Sequence, residues 1–186
     1  MIRRPPRSTQ GVSSAASDVY KRQVETRYKL ARRSLLELTL LLIKPDGVQR
    51  GLIGEIVKRV EQRGLRLIGM KFMRVSRALA ETHYSIHKGK PFYDKLIEYI
   101  TSAPVVAMAW QGNKAVVVVR QVLGATDPTT ADPGTVRADY GIDIGRNLTH
   151  GSDSVLTGNA EVNLWFTKKE LVDWEKIGEE WVFEVG

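Results

Sequence analysis

The sequence predicts an α/β or α+β fold, and three observations carry that expectation. Short apolar runs of strand length alternate along the chain with segments whose apolar residues recur at helical spacing. Clusters of Gly, Pro, Asn and Asp punctuate the changes of period. No unit of roughly 20–50 residues repeats, which excludes solenoids and propellers.

The elements follow in order. Thr39–Lys44 (TLLLIK) reads as a buried strand stopped by a turn at Pro45-Asp46-Gly47. Ile53, Ile56, Val57 and Val60 fall on one helical face with Glu55, Lys58, Arg59 and Glu61 on the other, and Gly64 stands where a C-terminal cap belongs. Leu65–Val75 is strand-like with imperfect alternation. Ala78–His87 and Phe92–Ile100 read as helices, the second ended ahead of Pro104. Pro104–Trp110 is a strand and Gln111-Gly112-Asn113 a turn. Ala115–Leu123 is ambiguous: four consecutive valines favour a strand, while its length and its end at Gly124 permit a helix. Residues 124–151, dense in Gly, Asp, Pro and Thr, read as a long loop, and such loops in compact domains are usually functional or disordered. Asn159–Phe166 and Lys169–Lys176 close the chain as helices.

The 186 residues suit one domain with a tail, and the 42% apolar and 26% charged shares are ordinary for a globular fold. The absence of cysteine excludes a disulfide scaffold, a thiolate zinc site and a cysteine nucleophile, and fits a reducing, cytoplasmic compartment. No apolar run approaches the roughly 18 residues of a membrane span. The net charge of +7 would suggest nucleic acid or an anionic membrane surface, but its distribution argues otherwise. Residues 1–34 hold nine Lys/Arg against Asp18 and Glu25, and residues 35–186 hold 19 basic and 19 acidic side chains. The expected organisation is therefore a basic extension over 1–34 and a charge-balanced domain over 35–186. Residues 1–23, rich in Pro, Ser and Arg, lack the apolar surface to offset their ordering entropy. An organellar transit peptide, a basic arm for nucleic acid and a non-native leader resembling a translated cloning adapter all fit them, and the last is the preferred reading. Residues 24–37 admit a short helix. A secretory signal is not indicated, because no apolar stretch follows the arginines.

Three histidines are the first candidates for chemistry. His83 and His87 are four apart on an expected helix, a spacing that can hold a metal. The metalloprotease pattern needs Glu directly after the first His, where Tyr84 stands, and no third ligand lies nearby in sequence, so two ordinary helix histidines are the expectation. His150 sits among small and polar residues in Gly145–Ser154, where a ligand or backbone can approach closely. A neutral imidazole is a good nucleophile toward phosphorus near pH 7. Gly47, Gly51 and Gly54 form neither the dinucleotide fingerprint nor a P-loop, so any phosphates must be held by separate side chains. Taken singly, Arg120 and Arg137 read as surface charges and Phe92 as a core aromatic.

Four blocks in register change that. Lys44-Pro45-Asp46-Gly47-Val48-Gln49-Arg50-Gly51, Ser102–Met108, Pro133–Gly141 and Asn147–Ser154 resemble the nucleoside diphosphate kinase family, in order from about Glu37 to the C-terminus. The resemblance implies a ferredoxin-like α/β sandwich, a four-stranded antiparallel sheet covered by helices on one side, with Ala115–Leu123 helical. It implies that His150 takes the γ-phosphoryl group from a nucleoside triphosphate and passes it to a diphosphate. Glu161 matches the carboxylate that holds the other ring nitrogen, and Ser152 a hydroxyl supporting that pair. Lys44, Tyr84, Arg120, Thr126, Arg137 and Asn147 match groups around the phosphates and ribose. Phe92 matches an aromatic that stacks on the base, with Leu96 and Ile144 lining the same slot. Asp153 matches a residue near Mg2+, which rides on the nucleotide. Asp127-Pro128 corresponds to a loop that packs between subunits, and Glu179–Glu184 resembles members that form hexamers rather than tetramers.

The residue types suit the chemistry. Phosphoryl transfer leaves a protein mainly positioning and charge stabilisation, and two arginines and a lysine meet spread negative charge. Stacking on an aromatic face accepts any base. Ala103, Thr149 and Asp127 depart from the usual glycine, aliphatic residue and asparagine of the family without replacing a catalytic group. A nucleic-acid-binding or regulatory relative of the same fold is the alternative, disfavoured by the missing aromatic RNA-binding pattern and the balanced charge. A catalytically silent homologue would normally lack the histidine.

Overall fold

The computed structural model describes residues 18–20, 23, 36–178, 181 and 182. The chain divides into Met1–Leu36 and Glu37–Gly186. In the first unit residues 18–20 and 23 are helical; the expected short helix over 24–37 lies outside the described residues except for Leu36 and Glu37, and Glu37 opens a strand.

The second unit is built on four strands, β1 (Glu37–Ile43), β2 (Arg66–Met73), β3 (Val105–Gly112) and β4 (Thr149–Gly151), paired antiparallel in the order β2-β3-β1-β4. Among the described residues of this unit, seven helices connect and cover them: α1 (Pro45–Gln49), α2 (Ile53–Glu61), α3 (Arg77–His83), α4 (Tyr93–Ser102), α5 (Ala115–Leu123), α6 (Val136–Tyr140) and α7 (Val155–Trp165). This is the ferredoxin-like α/β sandwich.

The central strand decides the layering. Leu40, Leu41, Leu42 and Ile43 are all fully buried, so both faces of β1 must be covered. Leu40 and Leu42 pack with Ala80 of α3, Ile97 and Ile100 of α4, and Val162 and Trp165 of α7. Leu41 and Ile43 pack on the other side with Ile56 and Val60 of α2 and Ala115 and Val119 of α5. The helices therefore lie on both faces, not on one.

Other expectations are corrected or sharpened. Pro45-Asp46-Gly47 opens α1 rather than a simple turn, with Pro in the first turn, where its missing N–H leaves no helical bond unmade. The imperfect alternation of the second strand is a bulge between Leu67 and Gly69. The expected helix over 78–87 ends at His83 and gives way to a 3-10 turn at Ser85–His87, so His83 and His87 do not share a helical face. The four valines are helical: Val116 and Val119 are buried and Val117 is half exposed, a 3.6-residue pattern. The loop over 124–151 contains α6, 3-10 turns at Pro128–Thr130 and Ile144–Arg146, and β4. Helix α7 begins four residues earlier than expected, because Ser154 caps it by accepting from the Thr157 amide at 3.1 Å. Lys169–Lys176 is not a helix. Only Lys168–Glu170 forms a 3-10 turn, after which the Val172 amide donates to Ile68 O at 2.7 Å and the Trp174 indole to Leu67 O at 2.8 Å, using the bulge of β2 as a docking edge.

Candidate active site

Register places His150. It stands opposite Leu42 in the β1–β4 pair, and directly opposed residues share a face. The imidazole therefore lies on the side of the sheet covered by α3, α4 and α7. Glu161 is one helical turn before the buried Trp165 on α7, so both turn toward the same face. The result is a hydrogen bond of 3.0 Å between His150 Nε2 and Glu161 Oε1. The second carboxylate oxygen accepts from Ser152 Oγ at 2.5 Å, and that hydroxyl in turn accepts from the Leu40 amide of β1 at 3.0 Å. Burial opposes the charge on Glu161, but the bonds from His150 and Ser152 hold its carboxyl below the usual range. A carboxylate at Nε2 fixes that nitrogen as the proton carrier and leaves the Nδ1 lone pair, which has no partner among the described residues.

The loop before β4 is anchored from two directions. Leu148 has a left-handed backbone, φ 67°, an uncommon state for a residue with a Cβ. Its amide donates to Asp46 Oδ2 at 3.0 Å and its carbonyl accepts from the Lys44 amide at 2.8 Å. The other Asp46 oxygen accepts from the Tyr99 hydroxyl, and the Arg146 guanidinium lies 4.1 Å from the Tyr99 ring centre. Gly47 makes room for this contact, since a Cβ there would stand 3.2 Å from Leu148 O and 2.7 Å from Ile43 Cγ2.

Two buried cations form the floor. Lys44 Nζ donates to Asn147 Oδ1 at 2.5 Å, and Asn147 Nδ2 donates to Thr126 O at 2.8 Å. Burial, then the neighbouring Arg137, lowers the Lys44 pKa to about 8. Arg137 donates to three backbone carbonyls, from Nε to Asn147 O, from Nη1 to Gly124 O and from Nη2 to Thr149 O. It is a structural clamp on the segment that carries His150 as well as a cation on the cavity wall. Arg120, exposed in the last turn of α5, has no hydrogen-bond or ion-pair partner among the described residues.

These groups line one cavity of about 910 Å3 together with Tyr84, Phe92, Leu96, Ile144 and Asp153. Phe92 is half exposed at its wall, and Ile144, on the same wall, opens the 3-10 turn at Ile144–Arg146. Ser152 alone of the expected residues stands behind the wall rather than on it. Asp153 and Glu161 are the two carboxylates on the wall among the described residues. His83, His150 and Glu161 bring potential metal-binding atoms within 4.8 Å, but His150 Nε2 and Glu161 are bonded to each other and His83 Nδ1 accepts from the Trp165 indole.

The nucleoside diphosphate kinase family model matches residues 37–171. The chain belongs to the nucleoside diphosphate kinase family. It is 56% identical over 149 residues to a nucleoside diphosphate kinase of Staphylococcus epidermidis, a match spanning 80% of this chain and 100% of that one. A relative from Trichormus variabilis is 54% identical over the same length. Among solved structures, a halophilic nucleoside diphosphate kinase from Halobacterium salinarum in complex with CDP matches with a TM-score of 0.78 at 52% identity, over 80% of this chain and 99% of that one. The activity is that of the family, phosphoryl transfer among nucleotides. No helix among the described residues is long and apolar enough to cross a membrane.

Sequence reading left out several residues of this kinase site. Asp46 and Tyr99 hold the histidine loop, and Lys95 and Arg146 add cations to the cavity wall. Asp46 lay inside a recognised block, and its place after a first-turn proline was a usable signal. His83, expected to be ordinary, is buried with its ring centre 4.6 Å from that of His150. No local pattern announces it, because the contact joins residues 67 positions apart.

Proposed function

We propose that this chain exchanges the γ-phosphoryl group through a phosphohistidine at His150, in two half-reactions. In the first, the Nδ1 lone pair attacks the γ-phosphorus of a nucleoside triphosphate. The bond from phosphorus to the β–γ bridging oxygen breaks, and the diphosphate leaves with that electron pair. In the second, a terminal oxygen of another diphosphate attacks the same phosphorus, and the N–P electron pair returns to Nδ1. One observation carries this reading: Nε2 is engaged by Glu161 while Nδ1 is unbonded, in a cavity walled by Lys44, Arg120 and Arg137.

The remaining assignments follow from the chemistry of the wall. Lys44, Arg120 and the two Arg137 N–H groups not used on carbonyls face phosphate charge, with Tyr84, Thr126 and Asn147 around the phosphates and ribose. Phe92, Leu96 and Ile144 form an apolar slot that accepts any base by stacking. Magnesium arrives with the nucleotide. It takes oxygen ligands and is commonly bound through one or two carboxylates plus substrate phosphates, which suits Asp153, because Glu161 is occupied by His150 and Ser152. The family resemblance of residues 179–184 supports a homohexamer rather than a tetramer, and the absence of cysteine a cytoplasmic setting.

The test is direct labelling. Incubation with γ-labelled ATP should give an acid-labile, base-stable phosphoprotein, and His150→Gln should abolish it and nucleotide exchange while circular dichroism stays unchanged. Turnover retained in His150→Gln above roughly a few percent of the parent rate overturns the assignment.

A further inference from the structure

His83 ends α3, and its side chain is 1% exposed. Its Nδ1 lies 3.2 Å from Trp165 Nε1. An indole N–H can only donate, so Nδ1 accepts, and the neutral ring carries its proton on Nε2. Burial, and next the charge of nearby His150, lowers the His83 pKa to about 3, which keeps the ring neutral. The Nε2–H is buried and has no partner among the described residues. Such a donor is disfavoured unless something satisfies it, and native proteins retain few of them.

Its surroundings say what would satisfy it. His83 is part of the cavity wall, and its ring meets that of His150 edge-on, at 4.6 Å and 81°. Its Nδ1 lies 3.9 Å from Glu161 Oε1, the oxygen that holds His150. The neighbouring Tyr84 hydroxyl is a second buried polar atom on the same wall without a partner. Neither donor has an acceptor among the described residues, and the reaction delivers one, since a phosphoryl group brings three acceptor oxygens.

We propose that His83 is a further catalytic residue: its Nε2–H, kept in that tautomer by Trp165, donates to an oxygen of the phosphoryl group while that group is carried on His150. The proposal rests on the phosphohistidine reading above. It also accounts for the tautomer. With Nδ1 occupied by the indole, His83 offers no lone pair to compete as a nucleophile, and as a neutral donor it adds no positive charge beside the attacking ring.

The experiment combines single-turnover phosphorylation of His150 with side-chain 15N NMR of the full chain. In the parent protein the His83 signals should be those of an Nε2–H tautomer, and the Nε2–H resonance should move when His150 is phosphorylated. His83→Phe should slow phosphorylation roughly 10- to 100-fold, the loss expected for one hydrogen bond to a charged group, with the diphosphate KM within about twofold of the parent. His83→Gln restores an N–H and should regain part of the rate. Trp165→Phe should let the His83 ring sample both tautomers and slow the step as well. A His83→Phe protein that melts earlier but phosphorylates at the parent rate overturns the proposal, as does a folded His83→Gln as slow as His83→Phe. If His83→Phe does not fold, an Nε2–H resonance that stays put on phosphorylation overturns it. Absence of label on the parent's His150 instead overturns the phosphohistidine reading beneath it.

Discussion

Lys44 shows how burial turns an ordinary side chain into a tuned one. A lysine ammonium removed from water beside Arg137 loses protons more readily, and its pKa falls to about 8. Below that value Lys44 is charged and able to meet phosphate; above it the charge is lost. kcat/KM should therefore fall as pH rises through about 8, and the kcat profile should lie at higher pH, because bound phosphates favour the charged form. Lys44→Arg should lose the alkaline limb, since guanidinium stays protonated; an unchanged limb would assign it to another group. Arg137 and Phe92 give a second contrast. Arg137→Ala removes the donor from three carbonyls, so it should lower the melting midpoint and the phosphoryl-transfer rate together. Phe92→Ala should leave the melting midpoint alone and raise KM by an amount equivalent to about 1–3 kcal/mol of stacking. Melting curves and single-turnover kinetics on both variants separate these outcomes, and a loss of rate without a loss of stability in Arg137→Ala would show that the clamp is redundant.

Among elements, α7 is the one on which the histidine depends. It crosses β1 at Gly158, where an added Cβ would lie 2.3 Å from Leu38 O, a backbone atom with little room to move. The close approach brings Glu161 down to His150 and Trp165 to His83. Gly158→Ala should destabilise the protein by about 1–3 kcal/mol, the usual penalty of overpacking, and slow phosphorylation by lifting Glu161. Thermal melting and the labelling assay check both, and an unchanged midpoint would mean that the helix slides without loss. The sequence reading starts this helix after Gly158, at Asn159; the reason for a glycine inside it lies in the neighbouring strand. The same holds for β4, whose three residues are too few for a periodic signal and become a strand by pairing with β1.

For the whole molecule, the charge-balanced domain and the family match both begin close to residue 37. Removing residues 1–34 should leave exchange activity and oligomer size unchanged, as measured by a coupled assay and sedimentation velocity. Dissociation or loss of activity in the shortened protein would give the extension a role and set aside its reading as a leader. Sedimentation also decides between hexamer and tetramer.

The sequence by itself determined the family and the strand–helix alternation and, through the resemblance, named residues that all line the cavity except Ser152, because four blocks kept their order and fixed the register of the side chains between them. It also signalled β1 and α2, whose apolar spacing is local. Only the tertiary structure decided that helices cover both faces and that the segment after Lys168–Glu170 docks on the β2 bulge instead of coiling. In each case the deciding partner is far away in the chain: both sides of Leu40–Ile43 must be buried, and the bulge of β2 leaves the Leu67 and Ile68 carbonyls to be met. Arg137 and His83 make the same point within the site. The family resemblance suggested a phosphate ligand and the sequence spacing an ordinary helix histidine, whereas three backbone carbonyls and one indole N–H, brought together by folding, give the first a structural task and fix the tautomer of the second.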